Sequence, residues 1–462
     1  MDLSCIKNSE LVRDFQLEAV EWIEEKNGTG LLCFPMGSGK CLISLIYTIK
    51  SNLKTLIVCP NSLKFVWSDE IEKWSYKSSA MLSAKDKKLD FSKDFTIVNY
   101  EIIKKFLPEL KKQKFDCIIL DESHFIKSTK AQRSKAVKKL KIPRRLLLTG
   151  TPITNKPLDI WNQLNYINKD VWNNWLSFRD TYIRGYYHPR FSYFVETGTK
   201  NIKELSEKIK PFAFRKRKEE ILSELPPKIY NKITISIDGE YEKQYSLAID
   251  NFRKFLLEYT GLNQGEINKR MRGEAFAKVQ TLKQICTRHK VETGIIKSIV
   301  ENILENNPDD KIVVFSQYRG VVKDIQSQIP NSVMVHGEID IDDRRKAVNQ
   351  FQNDDETKVF IGTVQTSGVG ITLTRASNVI FADLLWNPSD QEQAIDRCHR
   401  IGTIKAVNIF YILSKGTIDE VIHNLLNNKQ STIDQIIDGQ EFKKSINVYD
   451  QFLKGELKKL KE

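Results

Sequence analysis

No apolar run in the chain approaches the roughly 20 residues a helix needs to cross a bilayer, so no spanning helix is expected. The stretch MDLSCIKNSELVRDF lacks a basic segment followed by an apolar one and does not read as a secretory signal. Cysteine is sparse: Cys5, Cys33, Cys41, Cys59, Cys117, Cys286 and Cys398 are scattered and never form a C-x-x-C pair. That pattern points to reduced thiols rather than a disulfide framework. Cys286 and His289 stand three apart, yet no second pair has zinc-ligand spacing, so ordinary packing is expected of them. Low-complexity tracts and a visible internal repeat are also missing. These absences describe a chain expected to stay inside a cell, in nucleoid, nucleus or cytoplasm.

The 462 residues suffice for two or three domains, each able to bury its own core. Hydrophobic residues make up 40% and charged ones 28%, an ordinary balance for a globular protein. Lys and Arg outnumber Asp and Glu by 72 to 59, a formal charge of +13. Such an excess draws polyanions by long-range attraction, with nucleic acid the leading candidate. On charge alone a merely solvated basic surface explains it equally well.

Short apolar, β-branched runs recur between helical patterns: TLIVCP (55–60), FTIVNY (95–100), FDCIILDE (115–122) and RLLLTGT (145–151), with GLLCF (30–34) a further apolar strand. They predict buried parallel strands. A second set, KIVVFSQY (311–318), SVMVHG (332–337), KVFIGT (358–363), NVIFAD (378–383) and VNIFYIL (407–413), predicts a second α/β unit. Residues 160–300 read as helical insertions with no clear strand series beyond YNKITISI (230–237). The prolines of LPPK (225–228) cannot continue a helix and mark a hinge between the halves. The expected domains are 1–225, 226–435 and a basic, helical tail, 436–462.

Three stretches carry chemistry. Gly37, Gly39 and Lys40, between an apolar strand and the helical pattern CLISLIYTI, suit a phosphate loop, although G-x-G-K also opens plain helices. In DCIILDESHFIK a buried strand ends in Asp121 and Glu122, where ligands bind in open α/β sheets. Asp121 suits magnesium and Glu122 an attacking water; a solvated acidic turn is the alternative, and His124 reads as structural. In QAIDRCHRIG, Arg397 and Arg400 stand three apart and share a face, able to stabilise a transferring phosphoryl group or to form surface ion pairs.

In this order, LVRDFQLEAVEWI (11–23), MGSGK (36–40), TLIVCPNSLKFVWSDEIEKW (55–74), DESHFIKS (121–128), LLLTGTPITNKPLDIWNQLNYI (146–167), FRKRKEEILSELPPK (214–228), LKQIC (282–286), VVFSQY (313–318) and TSGVGITLTRASNVIFADLLWNPSDQEQAIDRCHRIG (366–402) resemble the Swi/Snf-type ATPases of helicase superfamily two. The resemblance spans nearly the whole chain. It implies an α/β fold of two RecA-like parallel-sheet lobes with helical insertions, ATP and Mg2+ in the inter-lobe cleft, and double-stranded DNA across both lobes. Gln16 matches the adenine-reading position, and Met36, Gly37, Ser38, Gly39, Lys40 and Cys41 match the phosphate loop. Asp121 matches the metal position, and Glu122, Arg397 and Arg400 match further hydrolytic positions. Thr149 and Thr151 match the segment coupling nucleotide state to lobe movement. Gly368, Gly370 and Thr366 match a second-lobe loop near ATP and DNA, and Trp386 and Asn387 a segment near the DNA track. Ser62, Lys64, Thr366 and Ser367 are the expected DNA-backbone contacts, with FRKRK and KKLKIPRR (138–145) either adding to them or forming exposed basic faces.

The sequence departs from the family at three places. Cys41 stands where threonine is usual, and a soft thiol is a poor ligand for hard magnesium. CFPMG lacks the usual acidic pair, and Thr403 replaces a usual glutamine. A live duplex-DNA translocase, slowed at most by Cys41, is expected, serving repair, replication, recombination or remodelling. A strand-separating helicase and a non-hydrolysing DNA-binding scaffold are the alternatives. With no recognisable histone-reading, zinc or nuclease domain, a compact motor is expected.

Overall fold

The computed structural model describes residues 2–86, 89–150, 157–187, 194–221, 225–258, 269–367, 371–424 and 426. They fall into two compact units, one drawn from Met1–Arg184 and Gly198–Ser223, the other from Gly185–Thr197 and Glu224–Asp434. The expected tail, 436–462, lies outside the described residues.

The first unit is built on strands β1 (Gly30–Cys33), β2 (Thr55–Cys59), β3 (Ser79–Met81), β4 (Phe95–Asn99), β5 (Cys117–Leu120) and β6 (Arg144–Thr149). Its last strand is β9 (Ala213–Arg215); before it in the chain, β7 (Ile183–Tyr187) and β8 (Phe194–Thr199) form a separate two-stranded sheet whose residues Gly185–Thr197 are grouped with the other unit. The main sheet has seven strands in the order β3-β4-β2-β5-β6-β1-β9, and every pairing in it is parallel. Parallel strands must be bridged by crossovers that cover both faces, so their sequences are apolar throughout rather than alternating. Accordingly β1, β2, β4 and β5 are buried at every position.

The second unit holds β10 (Lys228–Ile235), β11 (Lys311–Ser316), β12 (Ser332–Val335), β13 (Val359–Thr363), β14 (Ala376–Phe381) and β15 (Val407–Ser414). They form a six-stranded parallel sheet in the order β10-β15-β14-β11-β13-β12. Its two faces are separate cores. Val313 and Phe315 join Phe351, Phe360 and Phe381 on one side, and Ile312 and Val314 join Val322, Ile325, Ile361 and Ile380 on the other. The period-two alternation along β11 is what divides them.

The runs read as buried strands are therefore all strands. The insertion between them differs from expectation: besides helices such as Trp175–Tyr182, Gly239–Glu258 and Lys269–Glu292 it contains β7, β8 and β9. β9 comes from the FRKRK region and pairs with β1, while its Phe214 ring stacks on Trp22 at 5.5 Å. Three residues are too short for a periodic signal, and the pairing is supplied by a partner 182 positions away, Leu31 opposite Ala213. Among the described residues no helix is long and apolar enough to cross a membrane.

Phe360 is fully buried and meets Phe351 edge to face at 5.6 Å. Phe360→Ala should cost about 3–5 kcal/mol in denaturant unfolding; a cost under about 1 kcal/mol would contradict the described second core.

Candidate active site

The phosphate loop follows β1, and its backbone explains its glycines. Gly37 and Gly39 have φ of 76° and 80°, a left-handed conformation that L side chains adopt only with strain. At Gly39 space forbids a side chain as well: a Cβ would lie 2.4 Å from Gln16 Nε2. Gly39 caps helix Lys40–Lys50, whose first N–H groups are thereby turned toward the loop. Ser38 is buried and its hydroxyl donates to Pro35 O at 2.8 Å. Lys40 Nζ donates to Phe34 O and Pro35 O, both at 3.0 Å. Met36 flanks Gly150, whose Cβ would sit 3.8 Å from Met36 Cγ.

Gln16 ties the first helix, Asp14–Glu25, to this loop. Its Nε2 donates to Ser38 O at 3.0 Å and its Oε1 accepts from Arg13 N at 3.0 Å. One N–H and one lone pair of the amide are beyond those two bonds, enough for one edge of a base.

Two strands away, β5 delivers the carboxylates. Asp121 Oδ2 accepts from Trp67 Nε1 at 2.9 Å, Oδ1 accepts from the backbone N–H of Glu122 at 2.9 Å, and Tyr100 OH donates to Asp121 O at 2.8 Å. Glu122 has φ 48° and ψ 54°, a left-handed conformation uncommon for a residue with a side chain and concentrated at functional sites. The bend turns its carboxylate toward His124, with Oε2 and Nδ1 3.3 Å apart. Burial, and then the neighbouring Glu122 charge, raise Asp121 from 3.8 to about 6, against the opposing pull of Trp67 and Lys40. Burial and the Asp121 charge likewise push the Cys41 thiol up. Cys41 is thus held protonated beside a carboxylate, with little inclination to bind a hard cation.

Between β5 and β1 lies β6, whose Thr149 pairs with Cys33 at the root of the loop. Thr149 is fully buried, and a Cβ on the next residue, Gly150, would lie 3.4 Å from Phe34 O. Thr149 and Gly150 therefore abut the glycine loop inside one unit, while Thr151 lies outside the described residues. Ser62 is exposed in the turn Asn61–Leu63 just past β2. Lys64 needs a correction as a DNA contact: it is buried, and Nζ donates to Leu82 O at 2.7 Å. Its aliphatic stem and ammonium serve the interior of the unit.

In the second unit Arg397 and Arg400 sit in turns just after helix Pro388–Ile395. Arg397 is buried and its carbonyl accepts from Leu373 N at 2.9 Å. Arg400 donates from Nε to Asp396 O at 3.2 Å and from a terminal nitrogen to Thr372 Oγ1 at 2.9 Å. The turns are pinned at several points: a His399 ring nitrogen lies 2.6 Å from Pro226 O, and Lys228 Nζ lies 2.6 Å from Glu392 and 3.0 Å from Asp396. Thr403, the departure from glutamine, fits this design, since its hydroxyl accepts from Arg400 N at 3.1 Å and donates to Cys398 O at 2.8 Å.

Trp386 is half-buried against Phe276, with Lys283 Nζ 4.8 Å from its ring centroid. That places it as a packing element of the segment before Asn387, whose amide donates to Asp390 at 3.0 Å. Thr366 is partly exposed in the short helix after β13 and accepts from Thr363 Oγ1 at 3.0 Å. The Ser367 side chain, Gly368 and Gly370 are outside what the structure describes. Trp67, Tyr100, Thr372 and Thr403, which hold the site residues in place, carry no sequence signal of that role; each acts across a long separation or through a hydroxyl.

The raised Asp121 pKa makes stability depend on pH in a definite direction. Between 3.8 and about 6 the unfolded chain is ionised while the folded one keeps the proton, so stability falls as pH rises through that window and stays lowered above it. The parent should therefore gain stability as pH falls from 7.5 toward 4.5, and Asp121→Asn, whose NH2 must face one of the two N–H donors and so costs stability at every pH, should show a flatter dependence. Thermal unfolding at both pH values reads this out; a variant with the same pH dependence as the parent would contradict the assignment.

Residues 15–291 match the family model of the SNF2-related domain, and residues 295–402 match the helicase conserved C-terminal domain. The DNA annealing helicase and endonuclease ZRANB3 of Bos taurus is 29% identical over 452 residues, covering 93% of this chain and 41% of that protein. The homologue of SWI/SNF-related matrix-associated actin-dependent regulator of chromatin subfamily A-like protein 1 from Caenorhabditis elegans is 30% identical over 463 residues, covering 94% and 64%. The chain thus spans about two fifths of the first relative and under two thirds of the second. A solved Sulfolobus solfataricus SWI2/SNF2 ATPase core in complex with dsDNA is 26% identical, covering 100% of this chain and 98% of that one, with a TM-score of 0.46. With more than half its length matched by the SNF2-related domain and the following segment by the helicase C-terminal domain, the chain belongs to the Snf2-type ATPases of helicase superfamily two.

Proposed function

We propose that the chain is a DNA-dependent ATPase that uses hydrolysis to move along duplex DNA. One observation carries the reading: the phosphate loop, Thr149 and the Asp121–Glu122 pair gather at the carboxyl ends of the adjacent strands β1, β6 and β5. The relatives, a DNA annealing helicase among them, support DNA as the partner, and so does the charge of +13.

In this proposal the loop N–H groups and Lys40 hold the phosphates, Lys40 exchanging two backbone carbonyls for phosphate oxygens. Gln16 presents its remaining amide edge to adenine. The donor set suits a hard cation, since a buried carboxylate with a raised pKa gains most from a nearby positive charge. Magnesium, when bound with ATP, would supply charge neutralisation on the phosphate oxygens. Asp121 would hold it, with Cys41 contributing little. Glu122, oriented by its left-handed backbone and by His124, positions and deprotonates the attacking water. Arg397 and Arg400, in their pinned turns, serve the charge that develops on the transferring group. Ser62, Thr366 and Ser367 would touch DNA phosphates, which carry no sequence information and so suit a tracking motor, with Trp386 stiffening the neighbouring segment.

Cys41 favours a second reading, a DNA-binding scaffold that has lost hydrolysis. Phosphate release with and without duplex DNA separates the two. The parent should be stimulated by DNA, Cys41→Thr should be as fast or faster, and Glu122→Gln should lose about 10²–10⁴-fold. A parent no faster than Glu122→Gln would give the scaffold reading the case.

A further inference from the structure

The strands β7 and β8 stand apart from both main sheets. Six residues separate Tyr187 from Phe194, too few for a parallel crossover, so the pair is an antiparallel hairpin. Its root is fixed. Tyr182 and Ile183 are buried, Tyr182 OH donates to Glu204 at 2.8 Å, Lys200 N donates to Tyr182 O at 2.9 Å, and Asn201 Nδ2 donates to Thr181 O at 2.9 Å.

Beyond the root the burial reverses. Arg184, Gly185, Tyr186 and Tyr187 are all exposed, the two tyrosines by 51% and 55%. Neighbouring residues on a strand point to opposite faces, so an aromatic ring stands in solvent on each side of the ribbon. Tyr187 meets Phe194 edge to face at 5.6 Å, which stiffens one of them. A lone two-stranded hairpin gains little from its own packing, and nothing in the folding of either sheet requires large rings on both of its faces. Charge identifies what such a blade suits: between Asp180 and Glu196 the sequence contains no carboxylate, while it holds Arg184, His188 and Arg190 and six aromatic residues.

We propose that this hairpin is a stacking blade for unpaired bases: Tyr186 and Tyr187 take bases on opposite faces while Arg184 meets the backbone phosphate, placing the blade at the junction of duplex and single strand. Aromatic rings accept any base, because every base presents a π-face, and a nearby cation supplies the phosphate affinity. The inference rests on the reading of the chain as a DNA motor and adds to it a preference for DNA structure, namely forks and gaps over uninterrupted duplex.

The test uses the full chain, a forked duplex carrying 2-aminopurine in one unpaired arm, and a blunt duplex of equal paired length. The parent should bind the fork more tightly than the blunt duplex and quench the 2-aminopurine fluorescence. The double variant Tyr186→Ala/Tyr187→Ala should lose the fork preference by about 10-fold or more, as expected when about 1–3 kcal/mol per stacked base is removed, and should lose the quenching. Tyr186→Phe/Tyr187→Phe should keep both, since the ring and not the hydroxyl stacks. A common thermal midpoint for the three proteins shows that each is folded. An alanine variant that retains the parent's fork preference and quenching would overturn the proposal, as would a phenylalanine variant that loses as much as the alanine one; a surface for a protein partner would give the former. Duplex-stimulated phosphate release by the parent, run in parallel, reports separately on the motor reading, so its failure is not confused with that of the blade.

Discussion

The Asp121 carboxylate is buried where water cannot solvate it, bonded to Trp67 and to the Glu122 N–H, with a second carboxylate next in the chain. Two adjacent acids under cover are unfavourable unless a positive charge answers them. The first unit is arranged around that demand. β5, the central strand, ends in the acids at the carboxyl end of the sheet, β1 leads into the loop whose Lys40 opposes the rise in the Asp121 pKa, and β6 between them places Thr149 and Gly150 against the loop. A site that holds charge in an expensive state has a reason to bind a cation and a polyphosphate together.

The second unit meets a different requirement, fixing the backbone turns that carry Arg397 and Arg400, the latter with its guanidinium on Asp396 O and Thr372 Oγ1. The turns of Arg397 and Arg400 are secured by neighbours: His399 on Pro226, Lys228 on Glu392 and Asp396, Thr403 on the Arg400 N–H. Burial works against the Lys228 charge, yet Asp396 and Glu392 raise its pKa above the ordinary lysine value, so the clamp stays charged at neutral pH. Thr403 shows that a departure from a family's usual residue can be locally sound, a hydroxyl closing the turn through two hydrogen bonds. Cys41 is different in kind, because its protonated thiol substitutes poorly for a hydroxyl toward a hard cation.

Much of this is legible in the sequence. Buried parallel strands are written as short β-branched runs, since both faces must be apolar, and ILDE and GSGK announced their chemistry because it depends on neighbouring residues. What stayed hidden depends on distance. Trp67 reaches Asp121 across 54 positions, β9 is three residues whose partner β1 lies far away in sequence, and Lys64 looked like a surface cation because no local pattern shows its burial under Leu82. The hairpin was missed for a related reason: its exposed rings break the rule that apolar residues face inward, so its strands show no alternation. Places where local rules fail without an evident structural return are where function is most worth seeking.

In the proposed function Asp121 awaits a cation delivered with nucleotide, and proton counting tests this most directly. Titration calorimetry of the parent with preformed magnesium–ATP, in buffers of different ionisation enthalpy, gives the protons released on binding. Ligand charge beside Asp121 should pull its pKa down from about 6, so binding near pH 6 should release protons and binding at pH 8, where the group is already ionised, should release fewer or none. Equal proton release at the two pH values, or uptake at pH 6, would contradict the account.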